Sequence, residues 1–282
     1  MGKFHHYVPV HHQKRWLRPG ARRPEVFLFK KNSGKFFGSD VRNVLGEDHL
    51  YSLVGSVDPD PHLEDAVFGQ VDAVPSSIVT RLQFDEKYRL TSQDKRDLAI
   101  FLVASVFRTP WGLASLRTQV REAVEKSLAT HTGVSLDGID FVTDDCRERF
   151  LNNDKDYIRR NAPLVAVCNH ILTSKQTQEI SAWPYVIMRL RKPNLSFVTS
   201  DTILLMYGKG KSKVHVAPLT PRICLVSATD PADLVALTSN EGRFCRAVNK
   251  LMWEKSLHSV VGFPTAPYLN TLGFVRGDGN RP

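Results

Sequence analysis

Four of the ten histidines stand within eight residues: His5, His6, His11 and His12, in the run FHHYVPVHHQKRW over residues 4–16. An imidazole exchanges its proton near neutral pH, and its neutral form is a good ligand for divalent metals. Pro9 disfavours a helical Val8, so residues 5–8 are expected to be extended. Side chains alternate along a strand, which puts His5 and Tyr7 on one face and His6 and Val8 on the other. Farther along the chain, Glu64, Arg108 and Asp201 offer two carboxylates and a guanidinium. Imidazole and carboxylate ligands around a zinc, manganese or magnesium ion with open water positions suit phosphodiester hydrolysis. In that arrangement His5, Glu64 and Asp201 hold the metal, His6 and Asp201 handle water and protons, and Arg108 binds a phosphate oxygen. Each residue also has a structural reading. Asp201 can bond its own turn, Glu64 can be a first-turn helix charge, and Arg108 can cap helix carbonyls. His5, His6 and Tyr7 can simply lock the chain termini together, and for His11 and His12 the structural role is the expected one.

The positioning elements follow from periodicity and turn signals. Residues 25–31 alternate as a strand, Asn32-Ser33-Gly34 turns the chain, and residues 34–37 return. Residues 49–54 read as a further strand. Over 62–84 the pattern becomes helical, with Leu63, Val67, Val71 and Val74 near one face and a kink at Pro75; Glu64 would ride on this helix. Thr91-Ser-Gln-Asp94 is a capping box that opens a helix over 91–108. Thr109-Pro110 ends it at Arg108, and further helices are expected over 111–130 and 143–172. Strands resume over 185–190, 195–199, 214–217 and 223–227, with Asp201 just beyond the second. Residues 208–213 form a basic hairpin loop, 231–253 a helix, and the tail from Gly273 is expected to be disordered. The expectation is an α+β fold in one domain over residues 1–272. Its amino- and carboxy-terminal parts form a mixed sheet, and its midsection, about 61–172, is helical.

The 282 residues carry a net charge of +9. The charge is unevenly placed: +8 over residues 1–35, −6 over 36–180 and +7 over 181–282. Two basic ends that fold together would present a strongly positive face, which attracts phosphate backbones through counterion release. The candidate phosphate contacts are Lys14, Arg15 and Arg18 near the start and Lys209, Lys211 and Lys213 in the hairpin loop. Gly210-Lys211-Ser212 is no phosphate-binding P-loop, because position 205 is Leu where that motif needs Gly. Four scattered cysteines, Cys146, Cys168, Cys224 and Cys245, are expected to be reduced thiols. Neither a signal peptide nor a membrane span is expected, and the cytoplasm is the expected compartment.

The amino-terminal motif His5-His6-Tyr7-Val8-Pro9, followed by Lys14 and Trp16, resembles the opening of the bacterial domain-of-unknown-function family 4238. His11 and His12 depart from it, standing where the family has aromatics. Further similarities keep the family's order: Asp48-His-Leu-Tyr51, His62-Leu-Glu64, Phe107-Arg108-Thr109-Pro110, Phe197-Val-Thr-Ser-Asp201, Pro218-Leu-Thr-Pro221 and a helical Asn249. Thr202-Ile203 replaces the family's Asn-Pro after the aspartate. The resemblance spans residues 4–261 and implies a bacterial intracellular protein with no assigned activity; a defence or toxin-like role is the family-level expectation. A histidine pair before Val-Pro is also similar to the first motif of His-Asn-His nucleases. The remaining candidates for that motif, Asn43 and His49, lie far downstream in a strand or loop. The functional expectation is a nucleic-acid or phosphate-rich ligand binding protein, with metal-dependent nuclease or phosphodiesterase activity as its enzymatic form. The alternative is a non-catalytic nucleic-acid or protein interaction module with structural histidines.

Overall fold

The computed structural model describes residues 4–54, 59–60, 68–130, 135–136, 139–140, 161, 171, 175–209 and 212–276. The chain opens with β1 (Phe4–His6), a short α1 (Val10–Gln13) and a 3-10 turn (Lys14–Trp16). The hairpin of β2 (Glu25–Lys30) and β3 (Lys35–Asp40) follows, turning through Gly34 at φ 61°. Next come β4 (Gly46–Asp48) and two short ribbons, β5 (Leu53–Val54) with β6 (Pro59–Asp60) and β7 (Ser135–Leu136) with β8 (Ile139–Asp140). Between the ribbons lie α2 (Gly69–Phe84), α3 (Ser92–Phe107) and α4 (Pro110–Thr130). The carboxy-terminal part holds α5 (Lys175–Ala182), β9 (Tyr185–Arg189), β10 (Thr199–Ser200), β11 (Leu205–Lys209), β12 (Ser212–Thr220) and β13 (Ile223–Ala228). It ends with α6 (Pro231–Thr238), α7 (Glu241–Lys255), β14 (Ser259–Val261) and β15 (Val275–Arg276). Strands at both ends and helices between them make an α+β arrangement, as the sequence implies.

Two sheets organise the strands. The first has the order β10-β14-β2-β3-β15 and joins the two ends of the chain; the second, β11-β12-β13-β9, is antiparallel and built from the carboxy-terminal part alone. α3 is the centre of one apolar cluster, burying Leu98, Phe101 and Leu102 against Ile78 and Leu82 of α2 and Trp16, Val26 and Leu28 of the amino-terminal part. α7 buries Phe244, Val248 and Met252 in a second cluster with Phe197, Val226 and Val260. The expected capping box is present: Asp94 N donates to Thr91 Oγ1 at 3.1 Å, and Thr91 N donates to the Asp94 carboxylate at 2.8 Å. Among the described residues no single helix is long and apolar enough to cross a membrane.

Several expected elements differ. The strand over 49–54 shrinks to Leu53–Val54, because His49 has a positive φ of 54° that breaks an extended path. Residues 195–198 form no ladder; Leu195 N is satisfied by Lys192 O, Phe197 N by Pro221 O and Val198 N by the Asn249 side chain. The helix expected over 231–253 is two helices, since Asn240 caps a new one by accepting from Arg243 N. Val275–Arg276 of the expected disordered tail pairs in parallel with Lys35 and Phe36. The helix expected over 143–172 falls outside the described residues except at Asn161 and Ile171.

Candidate functional site

β1 runs antiparallel to β4, with Phe4 opposite Asp48, His5 opposite Glu47 and His6 opposite Gly46. Gly46 has to lack a side chain: a Cβ there would meet the Phe4 ring at 2.4 Å and His5 O at 2.6 Å. His5 and Tyr7 are buried and His6 is partly exposed, but Val8, expected on the His6 face, is buried as well, because the strand ends at His6. His5 Nδ1 accepts a hydrogen bond from Tyr51 N at 3.0 Å, which assigns the ring proton of the neutral form to Nε2. Its ring lies parallel to Tyr51, 8° from coplanar with centroids 5.7 Å apart. The Tyr51 hydroxyl in turn donates to the carbonyl of Arg108.

Arg108 is 1% exposed and is the most deeply buried cation of this region. Its Nη1 reaches Asp72 Oδ1 at 2.6 Å, and its guanidinium lies 4.4 Å from the Phe68 centroid and 5.8 Å from that of Tyr51. His6 donates through Nε2 to Val41 O at 3.2 Å. Burial lowers its pKa, two backbone bonds to Val41 and Arg42 oppose the shift, and the charge of Arg108 adds to it. His11 is pushed down to about 4 by burial and then by Arg15, Arg108 and Lys14. Tyr7 is held as a phenol, its pKa raised by burial and then by the charges of Asp201 and Glu47. The result is a set of neutral imidazoles and aromatics packed around a buried Arg–Asp pair.

The amino terminus does reach the late strand, through other residues than the expected ones. His12 shares a 3.1 Å hydrogen bond between Nε2 and Thr199 Oγ1, and Trp16 Nε1 donates to Phe197 O at 2.9 Å. Asp201 lies two residues beyond Thr199, but its carboxylate faces backbone amides. It accepts from Leu257 N at 3.0 Å, from His258 N at 2.7 Å and from Ser259 N at 3.3 Å. It thereby holds the turn that leads into β14. Asn249 is a similar clamp: its Oδ1 accepts from Val198 N, and its Nδ2 donates to Ser196 O and Pro267 O.

The expected ligand set is His5, Glu64 and Asp201. His5 Nδ1 and the Asp201 oxygens are engaged with backbone N–H groups, and Glu64 lies outside the described residues. Among the described residues no three His, Cys, Asp or Glu side chains come together as a metal-holding group. The expected phosphate contacts also divide. Lys14 is exposed, whereas Arg15 is tied to α2 through Ser76 O, Thr80 and Gln83. Arg18 pairs with Glu25 at 3.4 Å and lies over Phe27, and Lys213 stands 3.7 Å from Glu179. Lys211 and the Lys209 side chain are outside the described parts. Cys224 and Cys245 are buried free thiols, as expected.

Asp72, Tyr51 and Phe68 were not legible as partners of Arg108. Their spacing carries no pattern, because they meet only when α2, α3 and the loop after β4 pack. The role of Asp201 is open to direct test. Asp201→Ala leaves three amide donors without their acceptor and is expected to cost about 3–4 kcal/mol, whereas Asp201→Asn, which keeps one acceptor oxygen, should cost about half as much. Urea denaturation measures both; a stable alanine variant would show that the turn holds itself without the carboxylate.

The chain matches no curated protein and no solved structure. A family model described as "Protein of unknown function (DUF4238)" covers residues 5–264, from the first strand through β14, and so includes both the buried arginine centre and the Asp201 turn. The chain belongs to the DUF4238 family.

Proposed function

We propose that the protein is a polyanion-binding module with nucleic acid as its ligand, in which the amino-terminal histidines hold the fold and do no chemistry. The observation that carries this reading is the first sheet. β14 pairs with β2, and β15 with β3, so the segments of charge +8 and +7 become one body. Fields of like-signed charge that add over one surface draw in phosphate backbones.

Local arrangements support the same reading. Lys30 and Lys35 are directly opposite each other in the β2–β3 register, a like-charged pair that destabilises a sheet unless an anion neutralises it. Lys30 lies over the Phe37 ring and Lys31 over Trp253, so cations and aromatics interleave. On α7, Arg243 and Arg246 line a cleft of about 700 Å³ together with Asn194, Thr265 and Asn270. Both arginines are exposed, and neither forms an ion pair among the described residues. Two guanidiniums three residues apart share a helix face, and the amides and hydroxyl beside them add neutral donors for phosphate oxygens.

Fluorescence anisotropy with labelled single- and double-stranded oligonucleotides over a salt series tests the proposal. Binding with a log–log salt slope of about −3 to −5 is expected, and Arg243→Ala with Arg246→Ala should flatten it by about 2. Absence of binding at low salt overturns the reading. Cleavage of the oligonucleotide with added magnesium, manganese or zinc would replace the binding module by a hydrolase.

A further inference from the structure

Seven large apolar side chains stand exposed among the described residues, and three of them converge. Trp111 (62% exposed), Met206 (45%) and Leu257 (44%) line one cleft of about 370 Å³. The cleft lies between the α3–α4 corner, β11 and the end of α7, and Thr202 and Lys255 complete its wall. Single exposed apolar residues need no explanation, but a concave cluster of them does. The volume is in the range of pockets that enclose a small molecule.

The walls are held before any ligand arrives. The axes of α3 and α4 bend by 82° at Thr109, whose hydroxyl accepts from Gly112 N and donates to Val106 O, both at 2.9 Å. A Cβ on Gly112 would stand 2.2 Å from Val106 O, so the corner is as tight as a glycine allows, and Trp111 is mounted on it. On the opposite wall the Leu257 amide is anchored by both oxygens of Asp201. A site whose backbone is already fixed loses little entropy on binding.

One charge selects the ligand. Lys255 is exposed at the last residue of α7 and forms no ion pair among the described residues. The Thr202 hydroxyl on the same wall adds a neutral donor. We propose that this cleft binds a small amphipathic anion. Its flat or branched apolar body lies against Trp111, Met206 and Leu257, and its single carboxylate, sulfonate or phosphate faces Lys255. The proposal is independent of polyanion binding, because it concerns an apolar cleft with one cation rather than a basic surface.

Two fluorescent probes of the same shape separate the parts of the claim on the full-length chain: 8-anilinonaphthalene-1-sulfonate and the uncharged N-phenyl-1-naphthylamine. Both are expected to bind with one-to-one stoichiometry. Trp111→Ala and, on the facing wall, Leu257→Ser should each weaken both probes about tenfold or more, while Val235→Ser, at an exposed apolar residue elsewhere, leaves both unchanged. Lys255→Gln should weaken the sulfonate roughly three- to fivefold and leave the neutral probe unaffected. Sulfonate binding that survives both Trp111→Ala and Leu257→Ser overturns the site. A Lys255→Gln variant that treats the two probes alike overturns the anion pairing.

Discussion

Arg108→Ala is expected to destabilise the protein by about 3–5 kcal/mol, the usual cost of removing one partner from a buried ion pair. Arg108 is 1% exposed, pairs with Asp72 at 2.6 Å and is stacked between Phe68 and Tyr51. Alanine would remove the pair, both cation–π contacts and the packed aliphatic stem together. The Asp72 carboxyl is raised by burial even though Arg108 opposes the shift, so the attraction does not repay the full desolvation of the acid. It follows that the double variant Arg108→Met with Asp72→Leu should recover most of the loss, since replacing both charges by apolar groups is often neutral. Urea denaturation of the single and double variants checks this. A single variant within about 1 kcal/mol of the parent would mean that the centre relaxes around the loss.

Stability should fall steeply as pH drops from about 6.5 to about 4. His11 and His215 are pushed down to about 4, and His12 is held well below its ordinary value, with burial as the first cause in each case. In the unfolded chain these imidazoles regain pKa values near 6.5. Between the two values the unfolded state binds protons that the folded state refuses, so acid favours unfolding. The stabilisation is present above pH 6.5 and is lost as pH falls through the folded values. Each fully refused proton contributes up to about 1.4 kcal/mol per pH unit, and the raised carboxyls of Asp72 and Asp201, which bind their protons more readily in the folded state, offset part of the loss. His215 is buried against Trp183, centroids 4.6 Å apart and 13° from parallel, and shares a 3.4 Å contact with Ser227 Oγ. His215→Phe should reduce the pH slope of the unfolding free energy by close to one proton; an unchanged slope would show that His215 is not among the refusing groups.

Much of the local structure was legible. The capping box at Thr91 and Asp94, the hairpin through Gly34 and the helix ending before Pro110 all depend on residues a few positions apart, where backbone sterics and short-range hydrogen bonds decide the outcome. The exposure of His6 between buried His5 and Tyr7 is of the same kind, but the pattern stops where the strand does, and Val8 is buried too. The family motifs and the charge at the two ends were also plain in the chain itself. The breaks were less so. His49 turns left-handed where its neighbours suggest a strand, and Asn240 divides what its apolar pattern presents as one helix.

The type and order of the elements, the basic ends and the histidine-rich opening are properties of the amino-acid order alone. What each polar side chain does was decided by packing. Asp201 could have held a metal or a turn, and the amides of residues 257–259 made it a turn anchor. Arg108 could have faced a phosphate, and Asp72, arriving 36 residues earlier in the chain, took the guanidinium. A buried charge binds whichever complementary group the fold delivers within about 3 Å, and that delivery depends on contacts between elements distant in sequence, which spacing along the chain does not encode.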